Sequence, residues 1–244
     1  MQLKLTVEYE GTHYQGWQVQ PGVPTVQEVL ERALATVLRE AVRVRGAGRT
    51  DAGVHACGQV AAVHVSRVPA DLGRLRRSLN ALTPGDVAVH EISLVDDAFD
   101  PRRDARSRLY EYRILNAPVP SPFWRRHAWH IPEPLDARAM NEAARDLVGE
   151  HDFAAFRGAD PEPVHSTVRR VLESRVDTGP VLVYRIEATA FLKHMVRNIV
   201  GTLVEVGRGE RTAASLRELI AGRDRTRAGP TAPAHGLTLV AIRY

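Results

Sequence analysis

Apolar periodicities of two and of about 3.6 residues alternate along this 244-residue chain in the order strand, helix, strand, strand, helix, strand, and the same order then recurs. Leu3, Leu5, Val7 and Tyr9 face one way while Lys4, Thr6 and Glu8 face the other, which predicts a half-buried strand. Thr25-Val-Gln-Glu28 has the form of a capping box, and Val26, Val29, Leu30, Ala33, Leu34 and Val37 predict an amphipathic helix to about Glu40. Val42 and Val44 mark a short strand, Gly46 to Gly53 a loop and Val60 to Val65 a further strand. Leu72, Leu75, Leu79 and Leu82 form one helix face, and Val87 to Val95 a closing strand. In the second half, strands are expected at Arg108 to Leu115, Val168 to Val176, Val181 to Ala190 and Leu237 to Ile242. Helices are expected at Asp136 to Val148, Lys193 to Val206 and Ala213 to Ile220.

Two βαββαβ runs point to the α+β class. They predict two tandem ferredoxin-like subdomains, residues 1–100 and 101–244, forming one extended, mostly antiparallel sheet with helices on one face and a central cleft. The charged, aperiodic stretch Asp96 to Ala105 is the expected join. Pro118 to Pro134, with five prolines, reads as a long irregular insertion. Cys57 is the sole cysteine, so no internal disulfide and no multi-cysteine metal site can form. Met1 to Glu10 lacks the apolar core of a signal peptide, and no run approaches the ~20 apolar residues that span a bilayer. A soluble, cytoplasmic protein without a membrane partner is expected.

Thirty-one of the 33 basic residues are arginine, Lys4 and Lys193 being the others, and the formal net charge is +4. Arginine's planar fork suits phosphates and base edges, so a polyanionic partner fits, as does a simple coding bias. The richest stretch is Gly46-Ala-Gly-Arg-Thr-Asp-Ala-Gly-Val-His-Ala56. It lacks the closing Lys-Ser or Lys-Thr of a P-loop, and a strand rather than a helix follows, which also excludes a dinucleotide fingerprint. What it offers is a carboxylate, Asp51, two residues from Arg49 on an uncrowded loop. Arg197 falls inside an apolar helix face made by Met195, Val196, Ile199, Val200 and Leu203, where a cation needs an anion or a backbone partner. Tyr110 and Tyr112 share one strand face with Ile114. The ten histidines show no metal-ligand spacing, and no Gly-x-Ser-x-Gly elbow exists for Ser-His-Asp hydrolysis.

Eight segments in order carry a resemblance to a known family. They are Gly16-Trp-Gln-Val-Gln-Pro21, Thr25-Val-Gln27, Gly48-Arg-Thr-Asp-Ala-Gly-Val-His55, Asn80-Ala-Leu with Pro84, and Arg108-Leu-Tyr-Glu-Tyr-Arg-Ile114. Gly149-Glu-His-Asp-Phe153, Phe191-Leu-Lys-His-Met-Val-Arg-Asn-Ile-Val-Gly201 and Ala232-Pro-Ala-His-Gly-Leu237 complete the set. Over nearly its whole length the chain resembles the tRNA pseudouridine synthase A (TruA) family. The resemblance implies isomerisation of uridine to pseudouridine in the tRNA anticodon arm, at positions 38 to 40 of the tRNA, with no cofactor and no metal. It also implies a homodimer in which one tRNA spans both subunits. By the same resemblance Asp51 is the catalytic carboxylate, Arg197 pairs with it, Tyr110 stacks on the target base, and Gly48, Arg49, Thr50, His55, Arg108 and Lys193 serve substrate binding. Two departures stand out: Phe99-Asp-Pro-Arg102 replaces Phe-x-Ala-Arg, and Lys193 stands where a histidine is common.

The chemistry suits these residues. Detaching a base from C1′, turning it and rejoining it at C5 calls for an ionised carboxylate and a pocket that holds the loose ring. A neighbouring guanidinium favours the charged carboxylate. Attack at C1′, deprotonation at C2′ and addition to ring C6 all fit Asp51. An RNA-binding module displaying aromatics on ferredoxin-like sheets is the alternative of a different class, and a nucleotide hydrolase using the Gly-rich loop is a third.

Overall fold

The computed structural model describes residues 1–159 and 165–244. In chain order its elements are β1 (Gln2–Tyr9), α1 (Val26–Leu38), β2 (Val44–Gly46), β3 (His55–His64), α2 (Leu72–Leu82), β4 (Val87–Val95), β5 (Ser107–Asn116), β6 (Trp129–Ile131), α3 (Ala137–Arg145), β7 (Gly149–Asp152), β8 (Val168–Asp177), β9 (Leu182–Ala188), α4 (Met195–Gly207), α5 (Ser215–Gly222) and β10 (Leu237–Arg243). The class is α+β, as expected, with mostly antiparallel strand pairing. Two compact units are present, Met1–Arg106 with Thr238–Tyr244, and Ser107–Leu237.

In the first unit the strand order is β4-β1-β3-β10, with β2 attached to β3. The alternation read from Leu3 to Tyr9 is the buried face of β1, and Val26, Leu30 and Leu34 of α1 and Leu75 and Leu79 of α2 are buried with it. The capping box does not form. Thr25 is an extended N-cap whose side chain makes no capping bond, and the first amides of α1 are taken instead by the carbonyls of Gly16 (3.3 Å) and Trp17 (3.0 Å). β3 begins at His55, five residues before the apolar run that predicted it, because its first half, His55 to Gln59, has no period-two pattern.

The last strand belongs with this first unit, whereas the sequence reading gave all of 101–244 to the second. β10 runs parallel to β3, matching Thr238 to His55 and Leu239 to Ala56. Period-two alternation identifies a strand but not the sheet edge that takes it. Arg106 N donates to Arg243 O at 2.8 Å, Tyr244 Oη donates to Pro101 O at 2.8 Å, and the Tyr244 ring packs 5.1 Å from Phe99. The departure at Phe99-Asp-Pro-Arg102 is therefore a closed turn. Asp100 Oδ1 accepts from the amides of Arg102 and Arg103, both at 2.9 Å, and the Arg103 amide above all holds its carboxyl below the usual carboxylate range.

In the second unit the order is β5-β9-β8-β7, with β6 parallel to β5. Tyr110, Tyr112 and Ile114 match Ile186, Tyr184 and Leu182 across β5 and β9. α3 packs on β8 and on α4. The proline-rich insertion is more regular than its composition suggests, since it holds β6. Its base is tied by Asn116 Nδ2 donating to Ile131 O (2.9 Å) and Glu133 O (2.7 Å), while at its tip Phe123 is 91% exposed. β6 and β7, of three and four residues, are too short to show a period.

Candidate active site

In the first unit the segment from Gly48 to Val54 is held from behind by main-chain and buried side-chain bonds. Trp17 N donates to Thr50 O (3.1 Å), Val54 N to Asp51 O (3.1 Å) and Gly53 N to Tyr14 O (3.2 Å). Gln59 Nε2 donates to Gly48 O at 2.9 Å, and Thr50 Oγ1 lies 2.7 Å from Tyr9 Oη. Three glycines make this path possible. A Cβ on Gly16 would stand 2.5 Å from Thr50 O, one on Gly46 would stand 2.4 Å from Trp17 Nε1, and Gly53 turns the chain at φ +78°.

The side chains sort by exposure. Arg49 is exposed, Asp51 is half-buried and Thr50 is buried. His55 is only 4% exposed, its Nδ1 accepts from Gly11 N at 2.9 Å, and Glu10 lies 3.8 Å away. The imidazole thus fastens the loop after β1 to the start of β3. Gly48 differs from its neighbours: its φ is not left-handed, and no atom stands within 4 Å of the place a Cβ would take.

The second unit holds the other candidates. Arg197 is half-buried in the first turn of α4, where the helix dipole disfavours a cation and favours an anion beside it. Its Nε donates to Ala232 O at 2.8 Å and its own carbonyl accepts from Ala232 N at 3.1 Å. The 229–232 segment lies hard against α4, because a Cβ on Gly201 would fall 1.7 Å from Pro230 O. Asn198, fully buried, joins the pieces: its Nδ2 donates to Phe156 O (2.8 Å) and its Oδ1 accepts from Thr231 Oγ1 (2.6 Å) and Arg225 Nη2 (3.0 Å). His194 enters the helix at φ 57°, a left-handed conformation uncommon outside glycine, and its ring occupies the space a side chain on Gly158 would fill.

Lys193 is exposed, and its carbonyl accepts from Gly158 N at 2.8 Å. Tyr110 is 9% exposed and meets Phe191 edge-on, with 5.0 Å between centroids. Tyr112, grouped with it by sequence, is fully buried under Gly236 and donates to Pro233 O at 2.8 Å; burial pushes its hydroxyl far above the ordinary tyrosine range. Arg108 Nη1 donates to Thr189 O at 2.6 Å. The structure therefore gathers Gly48, Arg49, Thr50, Asp51 and His55 in the first unit and Arg108, Tyr110, Lys193 and Arg197 in the second. Sequence reasoning gave no polar role to Tyr9, Gln59 or Asn198, whose side-chain hydrogen bonds are formed in the buried interior.

Among the described residues no cluster of His, Cys, Asp and Glu could hold a metal ion, and no helix is long and apolar enough to cross a membrane. A family model described as tRNA pseudouridine synthase matches residues 5–102 and 143–244. A protein named tRNA pseudouridine synthase A from Myxococcus xanthus is 50% identical over 244 residues, covering 99% of this chain and 91% of that one. Proteins of the same name from Geotalea uraniireducens and Geobacter sulfurreducens are 44% and 45% identical, with 100% and 99% of this chain covered and 99% of each relative. Likeness of this degree, over the full length of a chain that carries a pinned, glycine-built loop with a half-buried aspartate and an exposed arginine, leaves one conclusion: the chain belongs to the tRNA pseudouridine synthase family and is an isomerase.

Proposed function

We propose that this tRNA pseudouridine synthase acts on uridines of the anticodon stem-loop, at positions 38 to 40 of the tRNA, with Asp51 as the essential carboxylate and the target nucleotide turned out of the stack. The observation that carries the proposal is the build of the Gly48–Asp51 loop. Its backbone is fixed from behind, and its two charged side chains, a half-buried carboxylate and an exposed guanidinium, stand a single residue apart.

The target uridine leaves the stack at a cost of a few kcal/mol, and Arg49 fills the vacancy or holds the adjoining phosphate. The N1–C1′ bond breaks, the ring turns, and C5 bonds to C1′; C5 then loses its proton and N1 gains one. Atoms and electrons balance within the nucleotide, so the reaction needs no redox partner and no cofactor. Asp51 serves by attacking C1′, by removing the C2′ proton or by adding to C6, and each course requires it ionised. Arg197, set in a helix turn that favours an anion, is the cationic partner this reading assigns to that carboxylate. Tyr110 stacks on the detached ring, an interaction worth about 1–3 kcal/mol, and its hydroxyl relays a proton during the final C5 deprotonation, passing its own on as it receives that from C5. Gly48, Thr50, His55, Arg108 and Lys193 complete the substrate contacts, directly or by shaping the loops that make them. The enzyme works in the cytoplasm as a homodimer, one tRNA lying across both copies.

Incubating tRNA tritiated at uridine C5 with the protein alone tests this. Tritium should pass to water without cleavage of the RNA, and Asp51→Ala should abolish release while tRNA affinity stays within a few fold. Release undiminished in Asp51→Ala removes the carboxylate from its role. Dependence on a nucleotide or Mg²⁺ would favour a hydrolase instead.

A further inference from the structure

Two buried polar side chains stand behind the Gly48–Asp51 loop and take no part in the reaction as proposed. Gln59 Nε2 donates to the Gly48 carbonyl at 2.9 Å and reaches Tyr9 Oη at 3.4 Å, and Tyr9 Oη lies 2.7 Å from Thr50 Oγ1. One directed chain satisfies all three: the amide donates to the phenol oxygen, and the phenol proton goes to the threonine. Its two ends, at Gly48 and Thr50, bracket Arg49 and stop one residue short of Asp51.

The strand register brings the pair together. Val7 matches Gln59 while Tyr9 matches Ala56, so two steps along β1 answer three along β3. A bulge of this kind redirects side chains, and Gly58 lies inside it with Val240 O 2.4 Å from where its Cβ would stand. Tyr9 is 2% exposed and Gln59 0%. Gln59 Oε1 is buried with no hydrogen-bond partner among the described residues. A methionine there would bury no such orphan, so the glutamine's presence points to its donor end, the end that holds Gly48. Burial pushes the Tyr9 hydroxyl up to about 12, which keeps it a neutral donor throughout the working range.

We infer that Tyr9 and Gln59 are positioning residues: acting through Thr50 and Gly48, they set where Arg49 and Asp51 stand relative to the bound nucleotide. The inference rests on the reading of Asp51 as the reactive carboxylate. It is tested in the full-length enzyme with Tyr9→Phe and Gln59→Met, each removing a polar contact while keeping the volume. Tritium release, tRNA affinity and circular dichroism are measured at a temperature where both variants are folded. Turnover should fall about tenfold or more in each, with KM and tRNA affinity within about twofold, because misplacement acts on the reacting geometry and not on capture. The double variant should fall by less than the product of the two losses, since the contacts form one chain.

Turnover within about twofold of wild type in both folded variants overturns the inference. So does a loss that disappears when the assay is cooled until the thermal transition is well clear, which would mark a purely structural role. Should Tyr9→Phe not fold, Gln59→Met carries the same test. Asp51→Ala separates the two failures: unchanged release from that variant overturns both readings, whereas an inert Asp51→Ala beside wild-type rates in the positioning variants overturns this one alone.

Discussion

Gly46 and Gly48 stand two residues apart, and the structure gives them opposite reasons to lack a side chain. A methyl on Gly46 would meet Trp17 Nε1 at 2.4 Å and Cε2 at 2.6 Å, and Trp17 is 2% exposed with its ring 6.0 Å from Tyr9, so it has little room to retreat. Overpacking of that kind costs about 1–3 kcal/mol, offset by the ~0.4–1 kcal/mol that Gly→Ala recovers from the unfolded chain. Gly46→Ala should thus lose about 1–2 kcal/mol, a fall of roughly 2–8 °C in Tm. On Gly48 the same methyl meets nothing within 4 Å and the backbone is not left-handed. Gly48→Ala should therefore hold or slightly raise Tm. Its methyl would project into the space that the proposed function gives to the nucleotide backbone, and on that reading kcat/KM should fall about tenfold, equivalent to ~1.4 kcal/mol of transition-state binding. Scanning calorimetry and tritium release on both variants decide the matter. Wild-type kcat/KM in Gly48→Ala would show that this face of the loop does not receive substrate, and an unchanged Tm in Gly46→Ala would show that Trp17 yields.

Arg197→Lys keeps the charge but cannot both hold Ala232 O and present a planar fork, so turnover should fall at least about tenfold with tRNA affinity within a few fold; equal rates would dissolve the proposed pairing. Burial, then the nearby His127 and Arg197, lowers the pKa of His235 below its ordinary 6.5, against the opposing pull of the Ala128 carbonyl. On acidification the unfolded chain takes up this proton before the native one does, so stability falls as pH drops below 6.5. His235→Gln should flatten the decline of Tm below pH 6.5, and an identical slope would assign the acid sensitivity elsewhere. Exposed arginines such as Arg49, Arg102, Arg103 and Arg125 should make tRNA binding fall with salt at about −0.7 to −0.9 in log–log slope per phosphate neutralised; a flat plot from filter binding would contradict an electrostatic surface.

Much of the scaffold was legible because burial on one face leaves a period in the sequence. Leu3 to Tyr9 announced β1, and the Val26 to Leu34 stripe announced α1. Where a segment is short or both of its faces are occupied, no period survives, which is why β6, β7 and the first half of β3 escaped. Charged loop residues such as Asp51 and Arg49 were legible because their chemistry is written in the residue type. Positional function was not. The sequence places His55 four residues after Asp51 but does not show its burial against Gly11, it gives Tyr9 only as one residue of an apolar strand face, and it offers no signal for Gln59. Thr25 shows the reverse failure, a capping signature whose hydroxyl caps nothing because two loop carbonyls reached the helix amides first.

The return of β10 to the first unit sets a timetable. Residues 238–244 leave the ribosome only after the whole of Ser107–Leu237, yet they lie beside His55 and Ala56, four and five residues past Asp51. Until then β3 keeps a row of main-chain groups without their β10 neighbour. A polypeptide lacking residues 238–244 would leave that side of β3 unpaired, the kind of open edge that proteases and chaperones recognise.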